Sequence, residues 1–307
     1  MEKMNNRVYG VVGIKSKMAN WNADFSGRPK TTSDGNIFGS DKAFKYPIKK
    51  MWEAEGKKVL YVKSYKNEKD NLQARTLAER FENIFGKQVK EIKDKKEVIK
   101  YLFSAIDVQN FGATFAEEKN NISITGAVQV GQGLNKYEAS TTETIEILSP
   151  FTDAKKEDAQ NTSIGKKIVS DEAHYFYPFS INPENYNIYT NEIKDLEGYT
   201  KEAYESFKKG CLVAATAYNT NSKMGCENEF AIFIECKKDS KVYLSNLDEY
   251  IGFEKQEEKD IIDLTKLMDI LNKEDIKKEI EKIEIYYNPY TTNLIGDIES
   301  ATVKDLF

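Results

Sequence analysis

The sequence predicts an α+β fold, a β-α-β-β-α-β sheet of the ferredoxin-like or RRM-like kind enlarged by insertions. Three observations lead there. Runs rich in β-branched and aromatic residues alternate with helix-period segments in the order strand, helix, strand, helical insertion, strands, exposed insertion, helix, strand. Serine, threonine and glycine stand where helices should begin and end. The 307 residues are 40% hydrophobic and 31% charged, enough apolar material for one large core or two small ones, which sets disorder aside. A sheet of this kind commonly serves as a platform for single-stranded nucleic acid.

The first strand is Val8-Tyr9-Gly10-Val11-Val12-Gly13-Ile14-Lys15. Its Gly13-Ile14-Lys15-Ser16 ending is not a P-loop, because Val8 stands where the motif needs its first glycine. A polar, glycine-punctuated loop follows over residues 20–40, with Ser40 as the N-cap of the next helix. At about 100° per residue Lys42, Lys45 and Lys49 fall on one side of that helix, and Ala43, Phe44, Pro47, Ile48, Met51 and Trp52 on the other. Pro47 removes a backbone hydrogen bond beyond the first turn, so a kink or two short helices are expected. Residues 58–65 read as a second strand, 71–85 as a helix closed by Gly86, and 95–106 as another helix. Residues 111–115 and 122–130 read as strands, the latter running into the glycine-rich Gly131-Gln132-Gly133. Residues 151–181 break the rhythm and read as an exposed insertion ending in an aromatic strand. A short helix at 200–209 stopped by Gly210, strands at 212–218, 229–236 and 241–247, a helical stretch at 257–281 and a last strand at 283–287 complete the expectation.

Several function classes are excluded early. No apolar run approaches the roughly 20 residues of a membrane span, and Met1–Asn6 lacks a secretory apolar core, so a cytoplasmic protein without membrane contact is expected. Cys211, Cys226 and Cys236 form neither a C-x-x-C pair nor a cluster with histidine, and buried free thiols are expected. The single histidine, His174, lies in the aromatic run 174–179, where a packed or surface strand histidine is expected rather than a catalytic one. The net charge is −5, but residues 1–110 carry 23 Lys and Arg against 14 Asp and Glu, a net of +9, and the remainder is net −14. Such polarity suits binding of a polyanion by one end, or head-to-tail stacking of copies. By residue pattern alone, the Lys42, Lys45 and Lys49 stripe is the solvated side of an amphipathic helix.

A family likeness adds to this reading. The segments Asn22-Ala23-Asp24-Phe25-Ser26-Gly27-Arg28-Pro29-Lys30-Thr31, Ser33-Asp34-Gly35 and Phe38-Gly39-Ser40-Asp41-Lys42-Ala43, then 111–115, 124–129, 161–167 and the 211–236 region, together resemble the hand-shaped backbone subunit (RAMP superfamily) of type I-B CRISPR surveillance complexes (Cascade). The resemblance implies one hand-shaped RRM-like domain over 1–307, with helical fingers inserted at about 67–106 and a β-hairpin thumb at about 152–178. It implies copies wrapped head to tail along a CRISPR RNA, which they hold for pairing with target DNA in antiviral defence beside other Cascade subunits. No catalysis and no cofactor are implied; a separate helicase-nuclease cuts. Carried over by position, Arg28, Lys30, Lys42, Lys45 and Lys49 hold guide phosphates. Asn20, Asn22, Thr31, Gln129, Lys136 and Lys166 join them as RNA contacts, Gly131, Gln132 and Gly133 let the RNA backbone pass close, and Ile164 is the apolar thumb tip beside a displaced base. The acidic C-terminal half and the short apolar tip depart from the family's usual look.

Two other readings stay open. Backbone subunits of related type III complexes cut RNA with an aspartate on the loop after the first strand, where this chain has Asp24 and Asp34; such a carboxylate could orient a 2′-hydroxyl or Mg²⁺. The ordinary roles of those aspartates are a loop-ordering hydrogen bond and a turn residue before Gly35. The other reading is an RRM-like interaction protein that binds no RNA.

Overall fold

The computed structural model describes residues 2–148, 163–296 and 301–306, with the backbone alone for Ser163 and Ile164. The chain opens with β1 (Val8–Ala19), β2 (Phe38–Gly39) and α1 (Asp41–Ala54). A hairpin of β3 (Tyr65–Glu68) and β4 (Asn71–Ala74) leads to α2 (Leu77–Phe85), α3 (Lys95–Phe103) and α4 (Ile106–Phe111). Short strands follow: β5 (Gly112–Phe115), β6 (Ile122–Thr125), β7 (Val128–Val130), β8 (Gly133–Asn135) and β9 (Thr142–Leu148), before the long β10 (Ser163–Ile181). After α5 (Asn187–Thr190) come α6 (Lys201–Ala217) and β11 (Cys226–Cys236). The C-terminal part holds β12 (Gly252–Glu254), β13 (Asp260–Asp263), α7 (Thr265–Leu271), α8 (Glu274–Lys277), β14 (Ile280–Tyr287), β15 (Thr292–Ile295) and β16 (Ala301–Asp305).

The main sheet is mostly antiparallel and centred on β1, which pairs with β10 on one side and β11 on the other. β14 adds outside β11, and β16 lies parallel to β14. On the other flank β7, β8 and β9 pair with successive stretches of β10, and β2 adds outside β8. Strand alternation gives β1 two apolar faces. Val8, Val12 and Ile14 join a core with Trp52 of α1 and Phe207 of α6. Tyr9 and Val11, with Phe176, Phe230 and Ile232, face Leu247, Ile262, Leu264 and Leu267 from the C-terminal segment. A strand buried on both sides must be apolar throughout, which is why 8–14 shows no polar alternation. Each such large side chain stabilises the fold by roughly 1.5–3 kcal/mol.

That second layer changes what the sheet can do. The face opposite α1 and α6, expected as an open platform, is covered over β1, β10 and β11 by residues 247–271. Among the described residues no helix is long and apolar enough to cross a membrane.

Several elements differ from expectation for local reasons. Helix α1 continues through the buried Pro47 without a break. Residues 58–64 form no strand: Val59, Leu60 and Val62 are buried, and the Leu60 and Tyr61 N–H groups donate to the carboxylate of Asp107 at 2.8 Å each. The expected helix at 71–85 begins only at Leu77, where Thr76 and Glu79 form a capping box, and it ends at Gly86 as expected. Gly210 does not stop α6. A Cβ there would lie 2.7 Å from Ile48 Cγ2, so the glycine permits close crossing with α1. The helix then absorbs the expected strand 212–218, and its last turn is held by Asn228, which donates to Cys211 O and accepts from the Ala215 N–H. Residues 241–247 are irregular, and 257–281 divide into β13, α7 and α8.

The expected insertion at 151–181 resolves into two parts. Residues 172–181 lie inside the sheet against β1, from Glu172 opposite Lys17 to Ile181 opposite Val8. Residues 163–170 pair with β9, whose residues are all exposed, and form a hairpin that stays joined to β1 only at Ser170, opposite Ala19. The rest of the anticipated thumb, 152–162, lies outside the described residues.

Candidate nucleic-acid interface

The loop between β1 and α1 is built from its own hydrogen bonds. Asn20 is buried; its N–H donates to Ser222 O at 2.8 Å, and Nδ2 donates to Gly27 O and Ile168 O at 3.0 Å. Asn22 Oδ1 accepts the Ser40 N–H at 2.7 Å, and its backbone oxygen accepts the Lys30 N–H at 2.8 Å, fastening the loop to the start of α1. Asp24 Oδ1 accepts from the Ser26 Oγ and N–H at 2.8 Å and from the Arg28 N–H at 2.9 Å. The Ser26 hydroxyl and these amides hold its carboxyl below the usual range. This is the loop-ordering role expected of such an aspartate. Arg28 and Thr31 are exposed, and the half-buried Lys30 ammonium lies 5.9 Å over the Phe38 ring.

The three lysines of α1 have different fates. Lys45 Nζ donates to Asp41 Oδ2 at 2.8 Å and lies 5.3 Å over the ring of Phe111. Lys49 Nζ lies 3.9 Å from Asp107 Oδ2, between the rings of Tyr61 and Phe111. Burial pushes the Lys49 amine down and the Asp107 carboxyl up, and their attraction opposes both shifts. Only Lys42 stands exposed, with no acidic partner among the described residues. The inward pairing was not foreseen because Asp107 reaches α1 from α4, far along the chain.

The glycine-rich run sits beside the same helix start. Phe38–Gly39 pairs with Gly133–Leu134, and Gln132 lies against Asp41. A Cβ at Gly133 would come within 2.4 Å of the Tyr177 ring, and one at Gly39 within 1.8 Å of the Tyr177 hydroxyl. These glycines therefore make room for Tyr177, which accepts a hydrogen bond from Trp21 Nε1 at 2.6 Å and stacks on Phe44. Gly131 similarly faces Pro178, and its N–H donates to Pro178 O at 2.8 Å. Gln129 is exposed on β7 and donates to Gly126 O.

The remaining anticipated contacts lie elsewhere. Lys136 Nζ donates to Asp248 O at 2.7 Å under the C-terminal segment, and burial lowers its pKa. Lys166 lies on the hairpin of β9 and β10, 3.7 Å from Glu146. The side chain of Ile164 lies outside the described residues. The structure thus gathers Asn22, Lys30, Lys42, Lys45, Gln132 and Gly133 around the start of α1, places Asn20, Arg28 and Thr31 in the loop that leads there, and puts Lys136 and Lys166 on other elements.

The one group of His and carboxylates close enough to hold a metal, among the described residues, is Glu172, His174 and Asp260. Its atoms are already paired. His174 bonds Glu229 at 2.7 Å and Glu172 at 3.2 Å. Lys255 lies 2.7 Å from Glu172 and 3.0 Å from Asp260, and Lys15 3.2 Å from Asp260. Two ammonium groups occupy the approach a cation would need, so this is an ion network between sheet and cover. Neither Asp24 nor Asp34 belongs to it.

A mixed α/β chain with an antiparallel sheet, helices on one face, a second layer on the other and a projecting hairpin defines the class. The family model described as CRISPR-associated protein Cas7 matches residues 6–281, and the chain belongs to that family. In fold it is similar to a chain of a solved "CRISPR RNA-guided surveillance complex, pre-nicking", with TM-score 0.55 and 14% identity over 97% of this chain and 96% of that one. A chain of another "CRISPR RNA-guided surveillance complex" is similar with TM-score 0.50 and 13% identity, over 95% and 94%. No curated protein matches the sequence.

Proposed function

We propose that this chain is the CRISPR RNA-binding backbone subunit of a type I-B Cascade. It oligomerises head to tail along the guide in the cytoplasm and, with other Cascade subunits, presents the RNA for pairing with target DNA. The family match over residues 6–281 carries the reading. The strand order β11-β1-β10 flanked by β7 and β8, with α1 and α6 packed together on one face, supports an RRM-like palm. The helical stretch before β5 serves as fingers, and the hairpin of β9 with the first part of β10 as the thumb.

Phosphate binding in this reading falls to the cations not engaged inward. Arg28 and Lys42 are exposed and Lys30 is half-buried over Phe38, whereas Lys45 and Lys49 hold Asp41 and Asp107. Each phosphate neutralised on a single strand contributes a salt slope of roughly −0.7, so a few cations per copy bind weakly. Repetition along one RNA makes the contacts multivalent. The chain itself is non-catalytic in this reading: Asp24 spends one carboxylate oxygen on three loop hydrogen bonds.

Co-expression with a CRISPR array tests the function. The wild-type chain should co-purify with CRISPR RNA, and Arg28→Glu with Lys42→Glu should abolish this while the thermal melt is unchanged. A monomer free of RNA would overturn the proposal. Complementary RNA with Mg²⁺ should stay intact in the assembled complex; periodic cleavage lost in Asp24→Ala would overturn the non-catalytic part.

A further inference from the structure

Beside Lys42 lies a surface that the phosphate-binding reading does not use. Tyr46, one helical turn beyond Lys42 on α1, is 40% exposed and meets Tyr218, just past α6, edge to face at 5.7 Å. The segment that enters the β3 hairpin runs past the same helix, with the Lys49 ammonium of α1 lying 5.6 Å over the Tyr61 ring, and two residues on it carries the exposed Lys63. Its ammonium lies 4.9 Å over one face of Tyr65, which is itself 48% exposed. A hydrogen bond with Tyr65 holds the Lys63 amine above its ordinary range, and Tyr46 adds to the shift. Arg75 closes the group by donating from Nη1 to the Tyr65 carbonyl.

The charge around these rings is unbalanced. The nearby carboxylates are matched elsewhere: Glu53 with Lys50 and Arg80, Glu68 and Glu79 with Lys66. Lys42 and Lys63 have no acidic partner among the described residues. Aromatic side chains held partly in water beside unneutralised cations offer π-faces to bases and charge to the linking phosphates. An acidic protein surface would satisfy the cations but leave the open faces of Tyr46 and Tyr65 without a planar partner.

We infer that Tyr46 and Tyr65, together with Lys63, form a base-stacking site for single-stranded RNA beside Lys42 on α1. This rests on the proposed guide-binding function and extends it from phosphate contact to base contact. Stacking is indifferent to sequence, since every base has a π-face, so the site would suit a guide whose sequence varies.

The test uses the full chain and a fluorescent single-stranded RNA of arbitrary sequence, titrated at several salt concentrations, with single-stranded DNA of the same sequence as a second arm. Tyr46→Ala with Tyr65→Ala should weaken RNA binding about tenfold or more while leaving the salt slope unchanged, because no cation is lost. Tyr46→Phe with Tyr65→Phe should restore it. Lys63→Glu should weaken binding and make the slope shallower by about 0.7 or more. The inference is overturned if the alanine pair binds as the wild type does, if phenylalanine fails to restore binding, or if only DNA binding falls. A loss of self-association by sedimentation with RNA affinity intact would also overturn it, marking a protein interface instead. A wild-type chain that binds no RNA sinks the proposed function, and the inference with it; the results above sink the inference alone.

Discussion

His174 takes its role from the strands around it. Burial works against its charge, but Glu229 and Glu172 outweigh that, raising the imidazole to about 9 from 6.5. Glu172, hydrogen-bonded to His174 and then to Lys255, is held far below the usual carboxylate range. The sign follows from linkage. The His174 contribution is fully present below about pH 6.5 and is lost as pH rises through about 9, while that of Glu172 is present above its ordinary value of about 4.5 and is lost on acidification. A shift of this size corresponds to on the order of 3 kcal/mol. Denaturant titration should therefore show wild type losing more stability than His174→Gln between pH 6 and pH 10; parallel curves would refute the assignment. The aromatic run around His174 marked it as a strand residue, packed or at the surface, but neither its burial nor its partners could be read. Glu229 is turned toward it by a strand irregularity beside Gly13, and Lys255 and Asp260 arrive from far along the chain.

At the scale of elements, the legible parts were those with local signals. Ser40 before α1, Gly86 after α2 and the apolar runs of β1, β11 and β14 each carry their own instruction. The Thr76 to Glu79 capping box was equally available and would have corrected the start of α2. The unreadable parts depend on contacts between distant segments. Residues 58–64 are as apolar as a strand but find their hydrogen-bond acceptor in Asp107, and Gly210 looks like a stop until Ile48 is seen against it. The run at 131–133 belongs to the same kind. Its glycines suggested a passing ligand, and the structure puts Tyr177 against one of them. Gly133→Ala should therefore destabilise the fold by about 1–3 kcal/mol, read as a lower denaturant midpoint. A Cβ at Gly252 would stand 3.2 Å from Asp263 Cβ, so Gly252→Ala should lower the midpoint far less and serves as the control. Equal effects would show that the close approach to Tyr177 is not what fixes glycine at 133.

Across the whole molecule, the decisive feature is that both faces of the sheet are occupied. α1 and α6 fill one side, and the segment from Leu247 to Leu271 fills the other with a core of its own. Individual strands such as β1, β11 and β14 were readable from the alternation of patterns, but this cover was not, because its short elements carry weak periodicity and its apolar residues are widely spaced. Its charge also fits the division of labour, since residues 247–271 carry eight Asp and Glu against three Lys, a net of −5. An RNA strand should accordingly avoid the acidic cover and follow the loop and α1 side, where Arg28, Lys42 and Lys63 are exposed. Lysine acetylation read by mass spectrometry, with and without bound single-stranded RNA, tests this directly. RNA should slow modification of Lys42 and Lys63 several-fold while leaving the exposed Lys266 and Lys273 on the cover unaffected. Lys49, shielded between Tyr61, Phe111 and Asp107, should react slowly in both states. Protection centred on Lys266 and Lys273 instead would place the RNA on the acidic layer and refute the path proposed along α1.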